Sequence, residues 1–280
     1  MAEKPVLIDI EDYIYSGEGA NGACYFHRSD PTIMLKMARA DLPSGLMEME
    51  INSARLVYSL GIPTPKPGNL VTDAEGRIGV QFERIQDKKS FSRAVADEPD
   101  RVDEFARRFA GMCLKLHSTE VPVDKVPDAK KLDLDMLRES PFFEPEERAR
   151  VEKFILSIPD ARTAIHGDLQ YGNAIMSSKG DFFIDLADFS YGHPYLDLGM
   201  VYLCCCFSPD DFIRETYHME PELARKFWRC FVRAYFGESS KLEEVEKTLR
   251  PYAGLKVLII ERNMNAPFPI FHRLFDGLTD

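Results

Sequence analysis

The chain has 280 residues, of which 46 are acidic and 35 basic, so its net charge is −11. An acidic chain lacks the basic face that a general nucleic-acid binder needs, and we expect no nucleic acid among its partners. An apolar fraction of 45% and a charged fraction of 29% exclude a disordered or fibrous chain. At this length we expect two domains, or one domain of two lobes.

The cysteines and the apolar runs indicate a cytoplasmic protein without a membrane partner. None of the six cysteines has C-x-x-C spacing, and three are consecutive at 204–206 in an apolar run. This pattern favours reduced, buried thiols over disulfides or a zinc site. The apolar runs are too short to span a membrane, and Glu3, Lys4 and Asp9 interrupt any apolar signal core at the N-terminus.

Short strands around one helix are predicted for residues 1–85. The predicted strands are 10–15, 23–27, 33–37, 69–72 and 77–82, the last two forming a hairpin. The helix is predicted to begin at Pro43-Ser44, with Ser44 as its N-cap, and to end at Gly61.

Helices dominate from residue 86 onward. They are predicted at 102–117, 132–139, 146–156, 197–207, 221–236 and 242–265, with a loop-and-hairpin stretch at 165–184. The predicted fold class is therefore α+β, with a small β-rich N-terminal lobe at 1–85 and a larger helical lobe at 86–280. Neither lobe is basic, since the first holds 8 basic and 12 acidic residues and the second 27 and 34.

The stretch IHGDLQYGN, from Ile165 to Asn173, is the most informative part of the sequence. Asp168 is followed five residues later by Asn173, which is the spacing of a kinase catalytic loop. In such a loop the Asp takes the proton of the attacking hydroxyl and the Asn holds a magnesium ion.

A second carboxylate follows this stretch. The predicted strand 182–184 leads to Asp185, and a predicted turn at 178–181 makes a hairpin that would place Asn173 and Asp185 side by side. Such oxygen ligands suit Mg²⁺. The alternative is a turn Asp, a capping Asn and an edge-strand Asp with no chemical role.

The N-terminal part contains a G-x-G-x-x-G segment made of Gly17, Gly19 and Gly22. A dinucleotide-binding site would need a helix directly after it. A predicted strand follows instead, which favours a flap over nucleotide phosphates. A glycine-rich hairpin turn is the alternative.

Lys36 lies among apolar residues in the predicted strand 33–37, so its ammonium needs a partner. Glu50, beside the apolar stripe of the next helix, is favoured over Glu48, which lies off that face. Such an ion pair would hold the lysine against the α- and β-phosphates. A solvated lysine at a strand edge is the alternative.

These motifs resemble the aminoglycoside phosphotransferase family, a group of kinase-like small-molecule phosphotransferases. The resemblance depends mainly on 166–173, on Phe-Ile-Asp at 183–185 and on Asp-Leu-Gly at 197–199. Weaker matches are 50–65 and 116–122. Together the matches span residues 17 to 199, and the C-terminal third matches no motif that we can name.

The resemblance implies a bilobal protein-kinase-like fold and transfer of the γ-phosphate of ATP or GTP to a hydroxyl of a small molecule. It implies that Asp168 is the catalytic base and that Lys36 binds phosphate while paired with Glu50. It also implies that Asn173 and Asp185 hold Mg²⁺.

The resemblance adds an expectation for the linker between the lobes. The backbone around Glu83, Arg84 and Ile85 is expected to offer hydrogen bonds to the purine. This assignment follows from position in the chain and not from a motif.

The role of Asp197 has two interpretations. The matching Asp of the family supports the catalytic loop through backbone hydrogen bonds, whereas an N-cap on the helix that follows explains it equally well. We treat Asp197 as structural, as we do His117, His166 and His193. Asp188 is interpreted as a solvated loop carboxylate.

Two departures from protein kinases favour a small acceptor over a protein. Gly167 stands where those enzymes carry Arg, and only eleven residues separate Asp185 from Asp197. That segment is too short to bind a peptide. A protein kinase is therefore a weaker alternative, and so is a regulatory pseudokinase, because every catalytic and binding residue named above is present.

The acidic excess of the second lobe favours a cationic acceptor. We expect the acceptor in a cleft lined by Asp168, Asp188 and the C-terminal helices, where an excess of carboxylates would concentrate an amine-bearing alcohol. The opposing interpretation is that late carboxylates such as Glu215 and Glu222 belong to solvated helix faces.

Overall fold

The computed structural model describes residues 4–19, 22–39 and 45–278. The chain forms two compact units: the residues up to Lys89 with Ile175–Ala187, and Ser90–Ala174 with the residues from Asp188 onward. The boundary predicted between residues 85 and 86 lies four residues before the observed end of the first segment at Lys89. The prediction also places residues 175–187 in the C-terminal lobe, whereas they belong to the first unit. That segment joins the first unit through hydrogen bonds such as that from the Phe183 N–H to the Pro63 carbonyl, at 2.8 Å.

A six-stranded sheet forms the frame of the first unit. Its strands are β1 (Val6–Leu7), β2 (Tyr13–Gly19), β3 (Gly22–His27), β4 (Ile33–Ala38), β5 (Pro67–Thr72) and β6 (Ile78–Glu83). The order is β1-β5-β6-β4-β3-β2, and neighbours are antiparallel except for β1 with β5. The predicted β5–β6 hairpin is confirmed.

The strand predicted at 10–15 is only partly correct. Its first residues form a 3-10 turn, Ile10–Asp12, before β2 begins at Tyr13. The side chain of Asp9 accepts a hydrogen bond from the Glu11 N–H at 3.0 Å, which favours a turn over an extended start.

One helix, α1 (Leu46–Ser59), packs against β5 and β6. Its buried face recurs at helical spacing and consists of Met47, Glu50, Ile51, Ala54 and Val57. Gly45 occupies the N-cap position, and the predicted cap Ser44 lies outside the described residues. The predicted stop is confirmed, since Gly61 follows the helix at a φ of 73°.

The hairpin predicted within 165–184 consists of β9 (Ala174–Ser177) and β10 (Gly180–Phe183), which form a small sheet with β7 (Lys89–Ser90). The turn is shorter than predicted because Gly180 and Asp181 belong to β10. Two contacts tie this turn to the end of the first sheet. The Ser178 N–H donates to Asp87 Oδ2 at 2.7 Å, and Lys179 Nζ lies 2.6 Å from Glu83 Oε1.

The second unit is mostly helical, which confirms the α+β class. Its helices are α2 (Phe91–Asp97), α3 (Val102–His117), α4 (Ala129–Glu139), α5 (Pro145–Ser157), α6 (Tyr195–Cys206), α7 (Asp210–Phe212), α8 (Pro221–Phe236), α9 (Leu242–Met264) and α10 (Pro269–His272). The strands β8 (Thr163–Ile165) and β11 (Ser190–Gly192) pair antiparallel beside them.

Two helix pairs, α3 with α8 and α6 with α9, make the most extensive packing of the second unit. Aromatic rings fill the first pair, where Phe109 packs against Phe227 and Phe231 at centroid distances of 5.9 and 5.6 Å. All six cysteines are free thiols, and four of them are buried, whereas Cys24 and Cys206 are half-buried. Within the described residues, no helix is both long enough and apolar enough to cross a membrane.

The α6–α9 pair is close because of Gly199. A Cβ atom at this position would lie 2.5 Å from the backbone carbon of Tyr252 in α9. Backbone cannot yield as a flexible side chain does, so any larger residue would push the two helices apart.

We expect Gly199→Ala to lower the free energy of unfolding by about 1–3 kcal/mol, the usual effect of overpacking. Gly111→Ala in α3 is the matched control, because its Cβ would meet nothing within 4 Å. The control should be neutral or stabilising, since alanine is the better helix former by about 1 kcal/mol. Denaturant unfolding measures both, and equal stabilities for the two variants would contradict this account.

Candidate active site

The loop between β8 and β9 brings Asp168 and Asn173 together. The amide nitrogen of Asn173 donates to Asp168 Oδ2 at 2.8 Å and to the Asp168 carbonyl at 3.0 Å. Both partners are acceptor oxygens of Asp168, and they fix the orientation of the amide because only its nitrogen can donate a hydrogen bond. The amide oxygen of Asn173 is therefore turned away from Asp168, as a cation ligand would need to be.

A buried carboxylate holds the start of this loop. Asp197 Oδ2 accepts the His166 N–H at 2.8 Å, and Oδ1 accepts the Gly167 N–H at 2.9 Å. These are the backbone hydrogen bonds that the family resemblance implied. The N-cap interpretation is wrong, since Pro194 occupies the N-cap position of α6 and the Asp197 side chain is directed at the loop.

Two further side chains extend this network. His117 Nε2 lies 3.1 Å from Asp197 Oδ2, and His117 Nδ1 lies 2.8 Å from the Tyr235 hydroxyl. Burial pushes the pKa of Asp197 upward, but the hydrogen bond from His117 and nearby positive charge outweigh it and hold the pKa below its ordinary value. His117 is thus structural, as expected, and its contact is with the residue that supports the loop.

Gly167 has a steric reason to be glycine. Its φ is 89°, and a Cβ atom would lie 2.2 Å from the carbonyl oxygen of Asp188. An arginine such as protein kinases carry would clash there. Asp188 itself is exposed, in agreement with its interpretation as a loop carboxylate.

Sequence reasoning missed Lys256. This residue of α9 is 9% exposed, and its Nζ donates to the Gly167 carbonyl at 3.1 Å. A signal was present, because a lone lysine in the apolar helical run 253–260 needs a polar partner.

In the first unit, Lys36 lies between two carboxylates. Its Nζ is 2.8 Å from Glu50 Oε1 and 3.5 Å from Asp185 Oδ1. The partner on α1 is thus Glu50 and not Glu48. Burial lowers the pKa of Lys36, but the charges of Glu50 and Asp185 outweigh that effect and raise it above its ordinary value.

The two carboxylates differ in burial. Glu50 is 4% exposed, its Oε2 has no hydrogen-bond partner, and burial raises its pKa although Lys36 opposes the shift. The Asp185 side chain is 43% exposed, and its backbone has a φ of 61°. A non-glycine residue in the left-handed region is uncommon, and such strain is concentrated at functional sites.

The glycine-rich segment is a β-hairpin. Gly17 pairs with Cys24 and Gly19 with Gly22 across β2 and β3. Ala20 and Asn21 lie outside the described residues. Because a strand follows the motif, the dinucleotide-binding alternative is excluded, as expected.

The predicted purine linker begins at the end of β6. The Glu83 N–H donates to the Lys66 carbonyl and the Arg84 N–H to the Thr32 carbonyl, at 2.8 and 2.7 Å. These donors are engaged within their own unit, so Glu83 could serve a purine through its carbonyl only. Ile85 is buried.

Among the residues that the structure describes, no cluster of three or more His, Cys, Asp or Glu side chains could hold a metal ion. A magnesium site with one carboxylate and one amide would not form such a cluster. Mg²⁺ keeps several waters and binds few protein ligands beside phosphate oxygens.

A family model described as the phosphotransferase enzyme family (APH) matches residues 16–229. The chain belongs to this family. The match confirms the resemblance stated from the sequence and extends it about 30 residues beyond 199. The protein is accordingly an ATP-dependent phosphotransferase that acts on small molecules. A comparison with curated proteins finds no match.

Solved structures show the same protein-kinase-like fold. Aminoglycoside phosphotransferase APH(3'')-Id from Streptomyces rimosus is 20% identical, with a TM-score of 0.58 over 88% of this chain and 92% of that one. A thermostable APH(4)-Ia variant in complex with ADP and hygromycin B is 13% identical, with a TM-score of 0.64 over 95% and 92%. Amicoumacin kinase hAmiN in complex with AMP-PNP, Ca²⁺ and Ami is 12% identical, with a TM-score of 0.59 over 97% and 90%.

We expect Asp197→Asn to lower the free energy of unfolding by about 3–5 kcal/mol at pH 7, because one partner of a buried charged network is lost. The pKa of Asp197 is lower in the folded state than in the unfolded chain, where it is about 3.9. The carboxylate therefore stabilises the fold fully above that unfolded pKa, and this stabilisation is lost as the pH falls through the folded pKa. The difference in the free energy of unfolding between wild type and variant should therefore become smaller below about pH 4. Denaturant unfolding at pH 7, 5 and 3.5 measures it, and a difference that widens towards pH 3.5 would contradict this assignment.

Proposed function

We propose that the protein transfers the γ-phosphate of Mg²⁺-bound ATP, or of GTP, to a hydroxyl group of a small molecule. The observation that carries the proposal is the Asp168–Asn173 pair, in which the Asn amide nitrogen binds the base and its oxygen is directed elsewhere. A carboxylate that accepts the hydroxyl proton and an amide oxygen that holds the metal are the two parts of a kinase catalytic loop.

Lys36 is proposed to bind the nucleotide phosphates while paired with Glu50. The buried Glu50 holds the Lys36 ammonium in place, and the charged lysine stabilises the α- and β-phosphates. Gly17, Gly19 and Gly22 are proposed to cover the phosphates, and the antiparallel pairing of β2 with β3, the two strands that carry them, supports this flap. The Glu83 carbonyl and the backbone of Ile85 are proposed to contact the purine.

Asn173 and Asp185 are the proposed protein ligands of Mg²⁺. Their oxygens are of the type that the ion prefers, and the ion neutralises charge on the β- and γ-phosphates when it is bound. The left-handed backbone of Asp185 supports a functional role, because such a conformation needs a compensating benefit.

The acceptor is proposed to be an amine-bearing or otherwise cationic alcohol. Asp133 on α4 supports this, because it is half-buried and makes no hydrogen bond or ion pair with the described residues. Burial raises its pKa to about 6, although Lys256 opposes the shift. A cationic ligand beside this carboxylate would stabilise its ionised form.

An acceptor screen by coupled ADP release tests the function. The panel should hold alcohols of matched size that are cationic, neutral or anionic. Cationic acceptors are expected to turn over fastest, with a KM that rises with ionic strength as the Debye length falls from about 10 Å at 0.1 M to about 3 Å at 1 M. A neutral or anionic best acceptor contradicts the charge preference, and absence of ADP with every alcohol contradicts the kinase assignment.

Asp168→Asn should leave ATP binding nearly intact and slow transfer by about 10²-fold. General-base contributions are typically about 10²–10⁴-fold, and the loose transition state of phosphoryl transfer favours the lower end. Single-turnover rates and nucleotide titration separate the two effects. Turnover within about threefold of wild type would remove Asp168 from its proposed role.

Asp185→Ala should abolish magnesium-dependent nucleotide binding, and Asn173→Ala should weaken it less, because a neutral amide attracts a divalent ion less than a carboxylate does. Nucleotide titration with and without Mg²⁺ measures both. Asp188→Ala is the control, since it removes an exposed carboxylate three residues away and should keep the wild-type magnesium dependence. A wild-type response from Asp185→Ala would exclude Asp185 as a ligand.

A further inference from the structure

Gly167, the residue that precedes the proposed base, is held through both of its backbone polar groups. Asp197 Oδ1 accepts the N–H of Gly167 at 2.9 Å, and Lys256 Nζ donates to its carbonyl at 3.1 Å. That carbonyl belongs to the same peptide plane as the N–H of Asp168. The ammonium of Lys256 thus contacts the group whose orientation sets the direction of the Asp168 side chain.

Gly167 makes such a restraint necessary. The close approach of Asp188 requires a glycine, and glycine has the largest backbone freedom of any residue. A hydrogen bond to its N–H fixes one of the two flanking peptide planes. The other plane, which leads into Asp168, needs a separate partner, and Lys256 supplies it.

The burial of Lys256 argues against an incidental contact. A lysine that is 9% exposed loses most of its hydration and requires compensation within the protein. Asp197 and Asp133 lie within electrostatic reach and provide opposite charge, while the hydrogen bond of the Lys256 ammonium goes to the neutral carbonyl of Gly167. An apolar residue would fill the same helix face without this cost.

We propose that Lys256 is a positioning residue that orients the Gly167–Asp168 peptide and thereby aims the Asp168 carboxylate at the acceptor hydroxyl. The inference deepens the proposed function and rests on Asp168 being the base. It assigns a task to the C-terminal third of the chain, where the sequence shows no motif.

Three variants test this role. Lys256→Met removes both the charge and the hydrogen bond, Lys256→Gln keeps a neutral donor, and Lys247→Met removes an exposed lysine of the same helix as the control. Lys256→Met should lower kcat by about 10²-fold, the effect of a misplacement of about 1 Å, while the KM for nucleotide changes little. Lys256→Gln should recover part of kcat, and the control should match wild type.

Hydrogen exchange gives a readout that does not need turnover. In folded Lys256→Met, the amides of the catalytic loop should exchange faster than in wild type, whereas those of α3 should be unchanged. The proposal is overturned if the loop exchanges as in wild type, if kcat of Lys256→Met stays within about threefold, or if Lys256→Gln is no better than Lys256→Met. If wild type makes no ADP with any alcohol, the proposed function fails, and the exchange data still decide whether Lys256 restrains the loop.

Discussion

Asp197 is fully buried, and its negative charge is stable there only because donors surround it. The backbone N–H groups of His166 and Gly167 and the ring of His117 contact its two oxygens at 2.8 to 3.1 Å. A buried carboxylate without such partners would neutralise itself by taking a proton. The same donors that stabilise the charge are thereby fixed in space, so the start of the loop that carries Asp168 is restricted to one conformation.

The spacing of Asp197 and Gly199 links this network to helix packing. Asp197 lies in the first turn of α6 and is directed at the loop, and Gly199 two residues later lets α9 approach to backbone contact. That approach puts Lys256 of α9 within hydrogen-bond distance of the Gly167 carbonyl. The Asp-Leu-Gly motif at 197–199 therefore makes the hydrogen bonds to the loop and also sets the position of α9, which begins 43 residues after Gly199.

The pattern of apolar and polar residues along the chain was sufficient to predict most of the helices and strands. The helices at 102–117 and 221–236 were predicted at their observed bounds, because each has an apolar stripe at helical spacing. A proline also marks the start of the second helix. The Lys36–Glu50 pair could be predicted as well, since a lysine in an apolar strand needs a carboxylate and the next helix offers one. The same argument applied to Lys256, but its partner is a backbone carbonyl 89 residues away, and sequence patterns carry no information about such an acceptor.

The two units hold their charged groups by opposite arrangements. In the second, backbone and side-chain donors surround the carboxylate of Asp197. In the first, two carboxylates flank the ammonium of Lys36, with Glu50 closer and buried and Asp185 farther and exposed. Coulomb attraction falls with distance and with solvent exposure, so Asp185 is the more weakly bound of the two partners. In the proposed function, a phosphate oxygen of the nucleotide would displace Asp185 from Lys36 more easily than it would displace Glu50. The displaced carboxylate would then be available to a divalent cation, while Glu50 keeps the lysine in place.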